Sequence, residues 1–184
     1  CINAFSVTQP YILAQNGFTN TQTSMIVSVR SVTYLLCMFA VSVYYQKLGY
    51  RLGLTLAVVF GALSFALFAV AKTLPGYYLA GAVAGVSFGL GSMIPATILM
   101  LRWFRSHRGT ALGICSAGTG VSAVLFSPLL RALIDRFSLR VCFFFEAAVS
   151  LVLALLAFLL IRPSPASCGL APLGVSEVET AEDL

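Results

Sequence analysis

The chain has 184 residues, of which 59% are hydrophobic and only 9% charged, with a formal net charge of +5. A soluble domain of this size carries roughly a quarter charged residues, so the composition argues against a water-coated globule. It argues equally against a nucleic-acid partner, because the Lys and Arg gather at the ends of long apolar runs, where the positive-inside rule and snorkelling place them.

In chain order, uncharged or singly charged runs predict membrane spans over about 1–14, 24–45, 52–72, 74–101, 109–131 and 140–162, each long enough to cross about 30 Å of hydrocarbon or, for the first, to form part of a crossing. There is no basic n-region ahead of a short apolar core, hence no signal peptide pattern. The first span is expected to be truncated, with residues 1–13 as the outer part of a helix and 16–20 as a turn. Its polar set, Asn3, Ser6, Thr8, Gln9 and Tyr11, is unusual for a membrane helix. Residues 46–51 and 102–108 form basic joints and are expected in the cytoplasm, while 16–23 and 131–140 are expected outside. Arg162-Pro163-Ser164-Pro165 breaks the last helix. Residues 1–162 are therefore expected to form a transmembrane domain, and 163–184, ending in four acids, a cytoplasmic linker.

Small residues recur inside the spans. Gly81, Gly85 and Gly89 stand four apart on one helical face, followed by Pro95, and the next span carries Gly113 and Gly118. Glycines at this spacing let two helix backbones approach closely, and Pro95 is expected to bend its helix. Packing and a bending or sliding role in conformational change are compatible readings. The five cysteines have no close spacing, so neither a metal site nor a disulfide is expected. The single histidine, His107, has no acidic neighbour, and no span holds a paired nucleophile and base. No enzyme activity and no cofactor are expected.

Three local patterns resemble the Major Facilitator Superfamily, in that family's order. Residues 45–51, with Lys47, Gly49 and Arg51, resemble its cytoplasmic loop motif, although Gln46 replaces the usual Asp. Arg102-Trp103-Phe104, then Arg108-Gly109-Thr110-Ala111-Leu112-Gly113 and later Gly118 and Pro128, resemble the helix-four-to-five segment of the oxalate/formate antiporter and monocarboxylate porter branch. Residues 165–174 resemble the start of that branch's central loop. The resemblance implies an all-α polytopic protein, the N-terminal six-helix half of a twelve-helix bundle built as a 3+3 inverted repeat. It implies a multi-pass protein of the cell membrane whose partners are the lipid bilayer and the missing C-terminal half. The implied function is secondary active transport of small organic anions, such as monocarboxylates, oxalate or formate, by alternating access. The rival reading is a small polytopic scaffold or regulatory protein without transport activity.

Arg30 is the leading site candidate. A charge inside a span costs about 2.5–3.5 kcal/mol at the bilayer centre and less toward the interface, so a role on the central cavity and a snorkelling or structural charge are both open readings. Its planar two-donor fork suits a carboxylate. Tyr34, one turn later, is expected to complete the clamp, with Gln9 and Asn3 of the first helix lining the same cavity. Glu146, the only acid inside a span, is the candidate for proton coupling, with Arg140 or Arg131 as alternative structural partners.

Overall fold

Thr19 starts the first long helix with a reciprocal cap. Its hydroxyl accepts from the Gln22 backbone N–H at 3.3 Å, and the Gln22 side chain accepts from the Thr19 N–H at 3.0 Å. Two orphan donors are satisfied this way, so the helix begins at Asn20, a turn earlier than the apolar run suggests. The computed structural model describes residues 8–12, 18–91, 93–103 and 108–160. Within them the regular elements are helices: α1 (residues 8–12), α2 (Asn20–Val70), α3 (Leu74–Leu90), α4 (Met93–Trp103), α5 (Arg108–Arg136) and α6 (Leu139–Leu160).

The helix α2 contains two spans. Gly49 stands inside it at φ 73°, ψ 163°, a conformation open to glycine and strained for other residues. Contacts on either side of Gly49 run in opposite directions along α3. On the first limb (20–48), Ile26, Arg30 and Cys37 meet Gly81, Gly85 and Gly89 in rising order. On the second limb (50–70), Ala57, Gly61 and Phe68 meet Gly91, Ser87 and Tyr77 in falling order. The chain therefore reverses at Gly49, and the basic joint is a single residue wide rather than a loop. α6 runs antiparallel to the second limb, with Phe143 stacked on Phe68 at 5.5 Å and Phe158 beside Arg51. The bundle so has a joint end, near Gly49 and Phe158, and a turn end, near Phe18, Lys72 and Ser138.

The fourth span is not the single helix expected over 74–101. α3 stops at Leu90 and α4 starts at Met93. Pro95 lacks an N–H, and its ring collides with the carbonyl four residues earlier, that of Gly91, so a continuous helix is broken there rather than bent. Gly91 N–H still closes α3 on Ser87 O at 2.8 Å, and the Leu90 carbonyl at the break accepts from Tyr45 O–H at 2.8 Å. By contrast, α5 runs through Pro128 and on to Arg136, five residues past its expected end.

Two apolar clusters hold the bundle. One, at the turn end, joins Ile12, Ile26, Phe65, Phe68, Tyr77, Leu139 and Phe143. The other, at the joint end, joins Val41, Tyr45, Ala57 and Leu90. Three helices, Asn20–Val70, Gly109–Arg136 and Leu139–Leu159, are long and apolar enough to cross a membrane, the first of them in two limbs, and α3 is a shorter apolar helix. Among the described residues, many large apolar side chains along these helices, such as Phe39, Ile114 and Val124, face outward, as a lipid environment favours.

Candidate functional site

A cavity of about 260 Å³ lies between the two apolar clusters. Arg30 reaches it from the first limb, Gly61, Ser64, Phe65 and Phe68 from the second, Ser87 and Phe88 from α3, and Ser150 from α6. Because α2 begins at Asn20, Arg30 is ten residues, about 15 Å, along its helix. Its side chain is only partly exposed.

The backbone around Arg30 is fixed by the glycine face of α3. A Cβ on Gly85 would sit 2.5 Å from Arg30 O and 2.8 Å from Thr33 Cβ; one on Gly89 would sit 2.5 Å from Cys37 Cβ. α3 thus rests directly on the first limb, and the glycines make a tight seam. On the opposite side, Gly61 leaves room for Ser87 Oγ, which an added Cβ would approach to 2.9 Å. That hydroxyl donates to Ala57 O at 2.7 Å and ties α3 to the second limb. Ser64 Oγ donates to Gly61 O at 2.9 Å. Both serines spend their proton on backbone carbonyls and keep oxygen lone pairs for a ligand. The cavity can therefore hold a small anion against the Arg30 guanidinium, accept hydrogen bonds from that anion's hydroxyls, and pack its carbon skeleton on three phenylalanine rings.

The other expected site residues are placed differently. Tyr34 does not line the cavity: its ring packs on Phe88 at 5.3 Å, and Phe88 takes the cavity wall instead. A spacing of four puts Tyr34 on the Arg30 face, but α3 covers that face before the ring reaches the opening. Gln9 is half-buried on α1 and is not a lining residue. Asn3, residues 161–184, and the side chains of Arg102 and Arg108 lie outside the described residues. Lys47 is exposed at the joint, whereas Arg51 donates from Nε to Phe158 O at 2.6 Å and lies 4.3 Å over the Phe158 ring. Gly113 and Gly118 meet open space, so no close helix approach at them is seen among the described residues.

Glu146 is 7% exposed, one turn before Ser150, and its buried Oε2 accepts no hydrogen bond. Neither Arg140 nor Arg131 pairs with it. Six residues separate Arg140 from Glu146, which turns the two side chains to different faces of α6, and both arginines are exposed. Of the cavity residues, Ser64, Ser87, Ser150 and the three phenylalanines were not singled out in the sequence. The only local signal was a serine recurring in otherwise apolar spans.

Reversing helices with outward apolar faces define a multi-pass membrane protein. Consistent with this, a profile of the Major Facilitator Superfamily matches residues 1–173, and the chain belongs to that family. It is 26% identical over 175 residues to the glycerol-3-phosphate transporter of Bacillus subtilis, covering 92% of this chain and 39% of that protein. It is 29% identical over 141 residues to monocarboxylate transporter 12 of Mus musculus, covering 76% of this chain and 28% of the relative. The hexuronate transporter of Bacillus subtilis is 26% identical over 167 residues, 89% of this chain and 39% of that protein. The chain thus spans less than two-fifths of the length of these curated relatives, all of which are transporters.

Proposed function

We propose that this chain supplies one wall of a secondary active transporter for small organic anions, with Arg30 as the residue that receives the anionic group. The observation that carries the reading is the Arg30 side chain on a cavity between the helices that also offers serine oxygens and aromatic walls. A guanidinium beside a low-dielectric pocket attracts an anion more strongly than it would in water. The relatives support the class from another direction, since glycerol 3-phosphate, monocarboxylates and hexuronates each carry an acid group on a short carbon skeleton. They widen the expected substrates beyond oxalate and formate to hydroxylated carboxylates and phosphate esters. The cavity's serine acceptors suit hydroxyl-bearing members best. Transport by alternating access needs a second wall, which we assign to a further six-helix half. Glu146, buried with an unsatisfied oxygen, is the group we assign to a coupled proton.

The test is ligand-induced thermal stabilisation of the folded chain by lactate and by glycerol 3-phosphate, compared across Arg30→Lys and Arg30→Gln. Removing one partner of a desolvated charge pair costs about 2–5 kcal/mol, or roughly 30- to 4,000-fold in affinity. Arg30→Gln should lose binding by that factor. Arg30→Lys should fall between Gln and wild type, because a point charge still attracts an anion but lacks the fork. Unchanged affinity in Arg30→Gln, with the protein folded, would remove Arg30 from the site.

A further inference from the structure

A second cavity, of about 210 Å³, opens at the turn end. It lies where three elements meet: the last turn of the second limb, the start of α3 and the start of α6. Its lining includes two cations from different elements, Lys72 in the connection to α3 and Arg140 in the first turn of α6, and no acid among the described residues. Both are exposed, and among the described residues neither side chain makes an ion pair or hydrogen bond. Two like charges beside one small hollow repel each other, and an anion between them removes that cost. The helix ends add to the same field. α3 and α6 both begin here; Thr73, at the N-cap of α3, makes no side-chain capping bond, whereas at the start of α6 the Val141 N–H donates to Ser138 Oγ at 3.3 Å. The floor is aromatic, with Phe68 stacked on Phe143 and 6.0 Å from Tyr77. Phe68 also lines the Arg30 cavity, so one aromatic side chain is shared by the two hollows.

We propose that Lys72 and Arg140 form a second anion site, which holds the carboxylate or phosphate head of a small organic anion at the mouth of the bundle, with Phe68 as the partition between it and Arg30. That the captured anion is the transported solute rests on the function proposed above; anion capture by the two cations does not. The phosphate of an acidic lipid offers the same chemistry, and the experiment separates the two sources.

The full chain is placed in nanodiscs of neutral phosphatidylcholine, and inorganic phosphate and glycerol 3-phosphate are titrated calorimetrically. Lys72→Ala and Arg140→Ala should each weaken phosphate binding roughly five-fold, and the double variant more than either, without strict additivity because the two cations share one ligand. Raising the ionic strength should weaken the wild type and leave the double variant unmoved. Arg136→Ala, which removes an exposed cation at the same end but outside the cavity, should change nothing. A second series adds phosphatidylglycerol to the discs. Competition by that lipid in the wild type, lost in the double variant, would assign the site to lipid headgroups and overturn its role for solute. Phosphate affinity unaltered in the double variant, at unchanged melting temperature, would overturn the site altogether. Arg30→Gln distinguishes the two proposals. If it changes neither titration while the double variant does, the Arg30 reading fails and the outer site stands.

Discussion

Single side chains close the backbone accounts of this bundle. In a bilayer an unsatisfied carbonyl has no water to turn to, so the ends and breaks of helices must find donors in the protein. Tyr45 does this for α3, giving its hydroxyl proton to Leu90 O at the end of the helix. Arg51 does it for α6, donating to Phe158 O while its guanidinium rests on the Phe158 ring. The family-like basic joint thus includes a cation that acts as a helix cap and a clasp between the second limb and α6. Tyr45→Phe keeps the ring stacked on Tyr50 but strands the carbonyl, and should lower stability by about 1–3 kcal/mol. Arg51→Met should cost a similar amount through the lost hydrogen bond and about 0.5–1 kcal/mol through the ring contact. Denaturant titration of the purified chain in detergent measures both. A Tyr45→Phe protein as stable as wild type would mean that Leu90 O finds another donor.

Among the elements, the same substitution should have opposite effects on two helices. Gly85 sits against the first limb's backbone, so Gly85→Ala forces α3 and that limb apart and should cost about 1–3 kcal/mol by overpacking. Gly118 faces open space in a regular helix, so Gly118→Ala should stabilise the chain by about 0.4–1 kcal/mol through reduced freedom of the unfolded state. Thermal stability of the two variants, measured side by side, decides the matter; destabilisation by both would show that α5 has a close neighbour. Much of this architecture was legible in the sequence. Uncharged runs marked the helices, and the four-residue glycine spacing marked the face of α3 that packs. Pro95 signalled an irregularity, but whether a proline bends a helix or ends it depends on what satisfies the freed carbonyls, and Tyr45 lies fifty residues earlier in the chain. Of the residues that line the cavity, only Arg30 stood out in the sequence, because a charge in a span contrasts with its neighbours. The serines did not, since a hydroxyl in a membrane helix commonly bonds its own backbone, and only the meeting of Gly61 with Ser87 turns such residues toward a shared space. Tyr34 was misplaced for the complementary reason: its helical face was right, but Phe88 occupies the opening it was expected to reach.

For the whole molecule, packing is uneven. The two limbs of α2, α3 and α6 share both the glycine seam and the apolar clusters. α5 touches α6 through Leu130 and Cys142 and is tied to α1 by Tyr11 O–H donating to Asp135 at 3.1 Å, yet no residue of its most apolar stretch is buried within the chain. α4 is a helix separate from α3 and from α5. The cysteines report on this directly, since Cys115 on α5 is exposed while Cys142 on α6 is buried. In a chain with Cys1 and Cys168 replaced by serine, a thiol-reactive dye should modify Cys115 immediately at room temperature. Cys142 should react only in a cooperative step on heating; prompt labelling of both would mean that α6 is not packed as described. The break has one more consequence. Cut off from α3 and only lightly held, α4 and α5 form a unit that can melt away from the rest without disturbing the seam, so the chain should lose its structure in two calorimetric transitions rather than one. Arg30, Lys72 and Arg140 all ride on the more stable unit, and anion binding should persist between the two transitions, in a chain that is already half undone.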